Sequence, residues 1–343
     1  MSPKSAGPAG PSTEVPTPIT TSEWPQAATE LVEGLVGAGS GTVLAVLIYG
    51  SHLHRTNPDR HSALDLIVIV SEYRRFYTGL KAAGALNRPV GLMSTMANVL
   101  PPNVIAYTVG GNDDHLGKCL IVSKAHLSRA LGPRPRDHFL LGRLIQRVGI
   151  VWAASEGDRV WVEEALGGAR SRVLTWMAPY LTEPVDAEEL GRRMLEVCYR
   201  GELRPEATNR SDQIFDAQAE HFRDTLAPVL VAAAAAGEMV EEDGRYRLAT
   251  PVGASERRRW RWHFARSRIR STTRWLKHTV TFDNWLPYVV RKAERHTGTT
   301  IELTGLEQRW PLLFLWPRAI RLLRSRSSER GRQIDSRRVV GPE

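Results

Sequence analysis

Between Leu47 and Val70 the chain reads LIYGSHLHRTNPDRHSALDLIVIV: an apolar run ends in Gly50-Ser51, a polar loop follows, and a second apolar run opens with one carboxylate, Asp65. These residue types suit phosphate chemistry. A glycine at a strand end lets backbone amides come close to a polyphosphate, and the Ser51 hydroxyl adds a donor. An aspartate on the neighbouring strand can hold Mg²⁺ against the same phosphates. The chemistry this would serve is metal-assisted transfer at phosphorus. The plain alternative is a tight turn after one strand and a solvated acid at the start of the next.

Those residues need a sheet to hold them. Residues 27–37 (AATELVEGLVG) have the spacing of a short amphipathic helix, and Thr42 to Tyr49 reads as a buried strand entering the Gly-Ser turn. Asp65 to Val70 is a second strand. After the Pro-Pro-Asn turn near Leu100, VIAYTV and KCLIVS flank a Gly-Gly-Asn-Asp-Asp loop and read as a hairpin. A mixed sheet with flanking helices follows, so the fold class is α+β. Helical patterns cover His138 to Trp152, Asp158 to Pro179, Ala187 to Tyr199 and Ser211 to Ala236. GEMVEEDGRYRLATP then places Asp243-Gly244 between two β-prone runs, a strong hairpin signal. Helices closed by a hairpin suit a small winged-helix-like domain.

At 343 residues and 42% hydrophobic content the chain can bury a sizeable core. Its cysteines, Cys119 and Cys198, lie far apart in apolar or helical contexts and read as reduced and structural. The opening residues are rich in Pro, Ser and Thr, with neither the apolar core of a signal peptide nor the arginines of a transit peptide, and read as a disordered tail. No apolar run reaches the roughly 18 residues needed to cross a bilayer. The expected layout is a tail over 1–24, a sheet domain over 25–155, a helical winged-helix-like domain over 156–252 and a basic aromatic region over 253–343.

Charge is uneven along that layout. The formal net charge is +9, yet residues 257–343 alone hold 21 Lys and Arg against 7 Asp and Glu. The basic surface therefore belongs to the last quarter, and its partner is expected to be anionic. ERRRWRWHFARSRIRSTTRWLKH interleaves Arg with Trp, and RWPLLFLWPRAIRLLRSR sets Arg318, Arg321, Arg324 and Arg326 beside a large apolar body. Such segments suit a bilayer interface, with Trp at headgroup level and Arg near anionic lipid. The alternative is a helix packed on the core with a solvated basic face. His52, His54 and His61 lie in a polar loop without partners at ligand spacing, so zinc is not expected there.

Taken together, these pieces resemble the mitochondrial-type phosphatidate cytidylyltransferases, the CDP-diacylglycerol synthases of nucleotidyltransferase fold that also have bacterial members. The resemblance begins at Ile48-Tyr49-Gly50-Ser51. The wider fold most often carries two acids, as in Ser-Asp-x-Asp-Leu, whereas Ser62-Ala63-Leu64-Asp65-Leu66 has one; a hydrophobic pair before a single Asp is also the pattern of this family. Lys118 to Ser123 looks like its Lys-bearing strand, and Gly142-Arg143-Leu144-Ile145-Gln146 like its Gly-Arg-Leu-Gln helix. Tyr199-Arg200-Gly201-Glu202-Leu203-Arg204 is similar to its Tyr-x-Gly-Asp-x-Arg segment, with Glu for Asp, and His221-Phe222-Arg223 matches its His-Phe-Arg. The match spans roughly residues 45–235, the size of two ordinary domains. After the Asp65 strand the family's paired acid and Trp-His signature give way to Ser71-Glu72 and Tyr73-Arg74-Arg75-Phe76-Tyr77.

What the resemblance implies is a Mg²⁺-dependent enzyme that makes CDP-diacylglycerol and pyrophosphate from CTP and phosphatidic acid. Gly50 and Ser51 would cradle the phosphates, Asp65 would hold the metal, and Lys118, Arg143 and Arg204 would balance the polyanion. Glu72 or Glu202 would supply a second carboxylate; as Asp65 and Glu72 are seven apart, an extended strand turns them to opposite faces. The implied location is cytoplasmic, peripheral on the inner face of the cell membrane through the basic region, with no nucleic acid partner. Two other readings stand beside it: a nucleotidyltransferase of the same fold with another phosphate or phosphonate acceptor, and a nucleic-acid-binding protein with a vestigial site.

Overall fold

The computed structural model describes residues 24–54, 63–109, 116–200, 210–282 and 304–305. All but Thr304 and Gly305 belong to one unit, and those two fall in a second. In chain order the first half holds α1 (Gln26–Ala38), β1 (Val43–Tyr49), α2 (Ser51–His54), β2 (Leu64–Val70), α3 (Tyr73–Ala82), α4 (Val90–Val99), β3 (Asn103–Thr108) and β4 (Leu116–Ser123). Next come α5 (Lys124–Leu131), α6 (His138–Leu144), β5 (Gly149–Ala153), α7 (Glu156–Ser171) and α8 (Val173–Met177). The remainder is α9 (Ala187–Arg200), α10 (Arg210–Asp216), α11 (Ala219–Ala235), β6 (Met239–Glu242), β7 (Arg245–Leu248) and α12 (Ala254–Thr281).

The sheet order is β3-β4-β2-β1-β5. Only β2 and β4 run parallel; β1 is antiparallel to both β2 and β5, and β3 to β4. The expected mixed sheet and the β3-β4 pair are therefore present. Apart from Asp65 near the start of β2, central strands β1 and β2 are apolar because both faces are covered. Val46, Ile48, Leu66, Val68 and Val70 share a core with Leu31 and Leu35 of α1, Phe76 and Tyr77 of α3, and Met93 of α4. On the other side, α5 and α7 lie against β4 and β1.

Three local differences from the sequence reading have physical causes. His138 to Trp152 is not one helix: α6 stops at Leu144, and Gly149-Ile150-Val151-Trp152-Ala153 becomes a strand on the open edge of β1. A β-branched, aromatic run of that length satisfies strand and helix patterns alike, and an unpaired sheet edge decides between them. The stretch after Asp65's strand, where no element was expected, forms α3, whose Tyr73, Phe76, Tyr77 and Leu80 recur at helical spacing. The helix expected over 211–236 breaks at Ala217-Gln218 into α10 and α11.

The second hairpin is where it was expected. β6 pairs with β7 through Asp243-Gly244, both at positive φ, as a two-residue type I′ turn requires. Val185, just before α9, bridges Tyr246 of β7. Cys119 and Cys198 are buried and free.

The first Arg/Trp segment is the 28-residue helix α12, and one face of it packs on the core. Trp260, Ser267, Ser271, Arg274, Lys277 and Thr281 are buried, at the three- and four-residue steps of a helical seam. Thr281 donates to the Val104 carbonyl at 3.0 Å, so the helix covers the β3 edge of the sheet. Among the described residues no helix is long and apolar enough to cross a membrane. The second basic aromatic segment, 309–326, lies outside the described residues.

Candidate functional site

The antiparallel register puts Asp65 opposite Tyr49, and the parallel register puts it opposite Lys118. Gly50 is the next residue after β1, at φ +82°. An added Cβ there would stand 2.7 Å from Asp65 Oδ2, so the position demands glycine both for its backbone and for the approach of the carboxylate. Lys118 Nζ reaches Asp65 Oδ1 at 3.6 Å, with both side chains partly open to solvent. Ser51 opens the single turn of α2, and Leu53 N–H closes it on the Gly50 carbonyl at 3.1 Å. Gly50, Asp65 and Lys118 thus meet at one end of three adjacent strands.

From the β3 edge, α12 brings a second set of basic side chains that the sequence reading did not single out. Lys277 Nζ donates to the carbonyls of Leu100 and Pro102 and, at 2.9 Å, to Asn103 Oδ1. Burial, with Arg274 nearby, lowers its pKa to about 6. One turn back, Arg274 donates to the Pro101 carbonyl at 2.9 Å and to Asp137 Oδ2 at 2.8 Å. His278 is pushed well below its ordinary pKa by burial, then by Lys277, Lys118, Arg274 and Arg143. The imidazole is thus held neutral near Lys118, the residue that pairs with Asp65. Its Nε2 is buried without a hydrogen-bond partner.

Sequence signals for this set did exist. Ser267, Ser271, Arg274, His278 and Thr281 follow one another at helical spacing in RSRIRSTTRWLKHTVT. A polar seam inside an Arg-rich helix marks a buried polar face. The arginine density hid it.

Arg143 lies on α6, its guanidinium 3.7 Å from the centre of the Phe139 ring and bonded to the Phe139 carbonyl. Arg274 stacks on the same ring at 4.4 Å. The other residues of the Gly-Arg-Leu-Gln match are placed by packing. A Cβ on Gly142 would stand 2.7 Å from Cys198 Cβ, so its absence lets α6 and α9 close on each other. Gln146 Nε2 meets Tyr199 Oη at 3.1 Å, and Gln146 Oε1 accepts from Gln218. His221 sits near the Ile145 backbone with its pKa lowered to about 4, first by burial and then by Arg170. Phe222 stacks on Phe215 in the core, and Arg223 pairs with Glu188 at the surface. Three of the matched motifs therefore converge on the junction of α6, α9 and α11, where they hold helices together.

Glu72 does not join Asp65. It is exposed at the N-cap of α3, beyond the far end of β2. Seven extended residues separate the two by roughly 20 Å. Glu202 and Arg204 lie outside the described residues, as does His61.

Among the described residues no group of three or more His, Cys, Asp or Glu could hold a metal ion. Asp65 supplies one carboxylate. That suits Mg²⁺ as it is usually held beside phosphates, by one or two carboxylates together with substrate oxygens and water. The single acid, flanked by Lys118, is arranged for a charge carried in with an anionic ligand. No protein-family model matches this chain, and no curated protein matches it.

Proposed function

We propose that the chain is a CTP:phosphatidate cytidylyltransferase of nucleotidyltransferase-like fold, making CDP-diacylglycerol and pyrophosphate at the inner face of the cell membrane. The observation that carries this reading is the convergence of left-handed Gly50, Asp65 and Lys118 at neighbouring strand ends. The mixed sheet supports the catalytic domain, and α9 to α11 with the β6-β7 hairpin and its Val185 bridge support a winged-helix-like neighbour.

In this reading Gly50 and Ser51 approach the CTP phosphates through backbone N–H and hydroxyl donors. Asp65 would hold Mg²⁺, and the ion would supply charge neutralisation to the triphosphate. Lys118 lies beside Asp65, placed to take up the negative charge that builds as the α-phosphorus is attacked. Arg143, steadied on Phe139, orients an anionic group from the α6 side. A phosphatidate phosphate oxygen forms the new bond to the α-phosphorus in line with the departing pyrophosphate, and the bond to the β-phosphate bridging oxygen breaks. Such a reaction needs little besides positioning and charge neutralisation. Glu202 and Arg204 complete the set that the resemblance implies.

Incubation with CTP, Mg²⁺ and vesicles containing phosphatidate tests it. CDP-diacylglycerol and pyrophosphate are expected, and Asp65→Ala abolishes both. Product from a different phosphate or phosphonate acceptor, with none from phosphatidate, would move the assignment to another acceptor of the same chemistry. Full activity in Asp65→Ala would sink the mechanism.

A further inference from the structure

The outward face of α12 carries three rows of residues spaced by seven. Trp262, Ile269 and Leu276 form the middle row, exposed by 64%, 65% and 53%. Residues seven apart drift only about 20° around a helix, so the three line up over about 21 Å. Arg261 and Arg268 flank the row on one side, and Arg259 and Arg266 on the other, each roughly 60–100° around the axis. All four arginines are exposed. This is an apolar ridge between two cationic banks, on the opposite side of the helix from the buried seam of Ser267, Ser271 and Arg274.

Charge and shape select the occupant. A second copy of the helix would set arginine rows against arginine rows, a repulsive match. Residues 284–343 hold 12 Lys and Arg against 6 Asp and Glu, so they are net positive and repelled by the same banks. Single-stranded nucleic acid would meet the charge but stacks on aromatic rings. Trp260 is buried, so Trp262 stands beside Ile269 and Leu276, which offer a base no stacking face. An anionic bilayer satisfies both features: aliphatic and indole side chains enter the interface, and arginines reach the headgroups on each side.

We infer that α12 lies in the plane of an anionic membrane, with Trp262, Ile269 and Leu276 inserted and Arg259, Arg261, Arg266 and Arg268 on headgroup phosphates. The lipid setting rests on the cytidylyltransferase reading, and the surface is a further assignment. It has a geometric consequence. The buried face of the same helix holds Arg274, Lys277 and His278, the last of them near Lys118, so a helix about 10–12 Å thick separates the membrane from this side of the candidate site.

The test is flotation of the full chain with phosphatidylcholine vesicles and with vesicles containing phosphatidylglycerol, without CTP or Mg²⁺. Binding is expected to the anionic vesicles alone. A variant combining Trp262→Glu, Ile269→Glu and Leu276→Glu should lose at least tenfold in partitioning with an unchanged melting temperature. Val231→Glu, at an exposed apolar position on α11, should bind as the unaltered chain does, and so should Asp65→Ala. Undiminished binding by the triple variant would overturn the assignment, even with cytidylyl transfer intact. Three other results would also overturn it: a loss of dimer in the triple variant, a fall in its melting temperature, or oligonucleotide binding in place of vesicle binding. Vesicle binding through α12 without any CDP-diacylglycerol would leave the surface standing and remove the enzyme.

Discussion

Gly50 and Asp65 fit together so closely that a single methyl group would separate them: a Cβ on Gly50 would lie 2.7 Å from the carboxylate Oδ2. The backbone adds its own demand, because Gly50 sits at φ +82°. Gly50→Ala should therefore cost about 1–3 kcal/mol in left-handed strain and also displace Asp65. Gly84 is the control, since it has φ +72° with nothing within 4 Å of an added Cβ. Urea denaturation should show comparable strain in both variants. CTP-dependent pyrophosphate release should fall at least tenfold in Gly50→Ala alone.

Lys118 separates stability from chemistry. Its pairing with Asp65 is partly solvated at 3.6 Å, a class of ion pair worth about 0–1 kcal/mol. Lys118→Met should leave the urea midpoint nearly unchanged. Pyrophosphate release should fall about 10²–10³-fold, the usual loss when one donor to a developing charge is removed. Equal loss of stability and activity would mark Lys118 as a structural residue.

The parts of this fold that were legible in the sequence are those in which local pattern and tertiary demand agree. Apolar runs covered on both faces gave away β1 and β2, and Asp243-Gly244 could form little but a tight hairpin turn. Gly50 and Asp65 were legible together because adjacent strand ends are neighbours in space. Where the two levels disagree, tertiary structure prevails. Gly149 to Ala153 fits either period, and the free edge of β1 makes it a strand. Lys277 and His278 were hidden for another reason. A helix with arginines all round shows its buried face only through the serines and threonines that fit there, and the acceptors that mark it, Leu100 and Pro102 for Lys277 and Val104 for Thr281, lie more than 170 positions away.

Acid should destabilise the fold before its carboxylates titrate. His138 is buried; its backbone N–H donates to Ser267 Oγ, and its Nδ1 lies 3.0 Å from the same oxygen. Burial, with His263 nearby, lowers its pKa to about 4. His126 and His221 are also lowered to about 4, chiefly by burial. In the unfolded chain these imidazoles take protons near pH 6.5, so between about pH 6.5 and 4 the unfolded state binds more protons than the folded one. Stability is therefore full above pH 6.5 and lost as pH falls through that window. Urea midpoints measured from pH 7 to 4.5 should decline steadily. In His138→Gln the slope should shrink by about one proton, and an unchanged slope would show that His138 does not contribute.

Asp137 decides whether α12 stays on the core. Its carboxylate caps α6 through Phe139 N–H and accepts from Arg270 at 3.0 Å and Arg274 at 2.8 Å. Burial raises its pKa, but the charge and hydrogen bonds of Arg274, with those of Arg270, outweigh that and hold it below the usual carboxylate value. Arg274 is 1% exposed, so removing its partner leaves a buried cation uncompensated. Asp137→Ala should cost about 3–5 kcal/mol, whereas Asp137→Leu combined with Arg274→Met should recover most of that loss, because both charges leave together. Limited proteolysis reads the same event locally: the single variant should be cut rapidly within residues 254–281, and the double variant slowly. Equal cleavage of the two would mean that the ion pair does not anchor the helix, and that its aromatic and Ser267 contacts suffice.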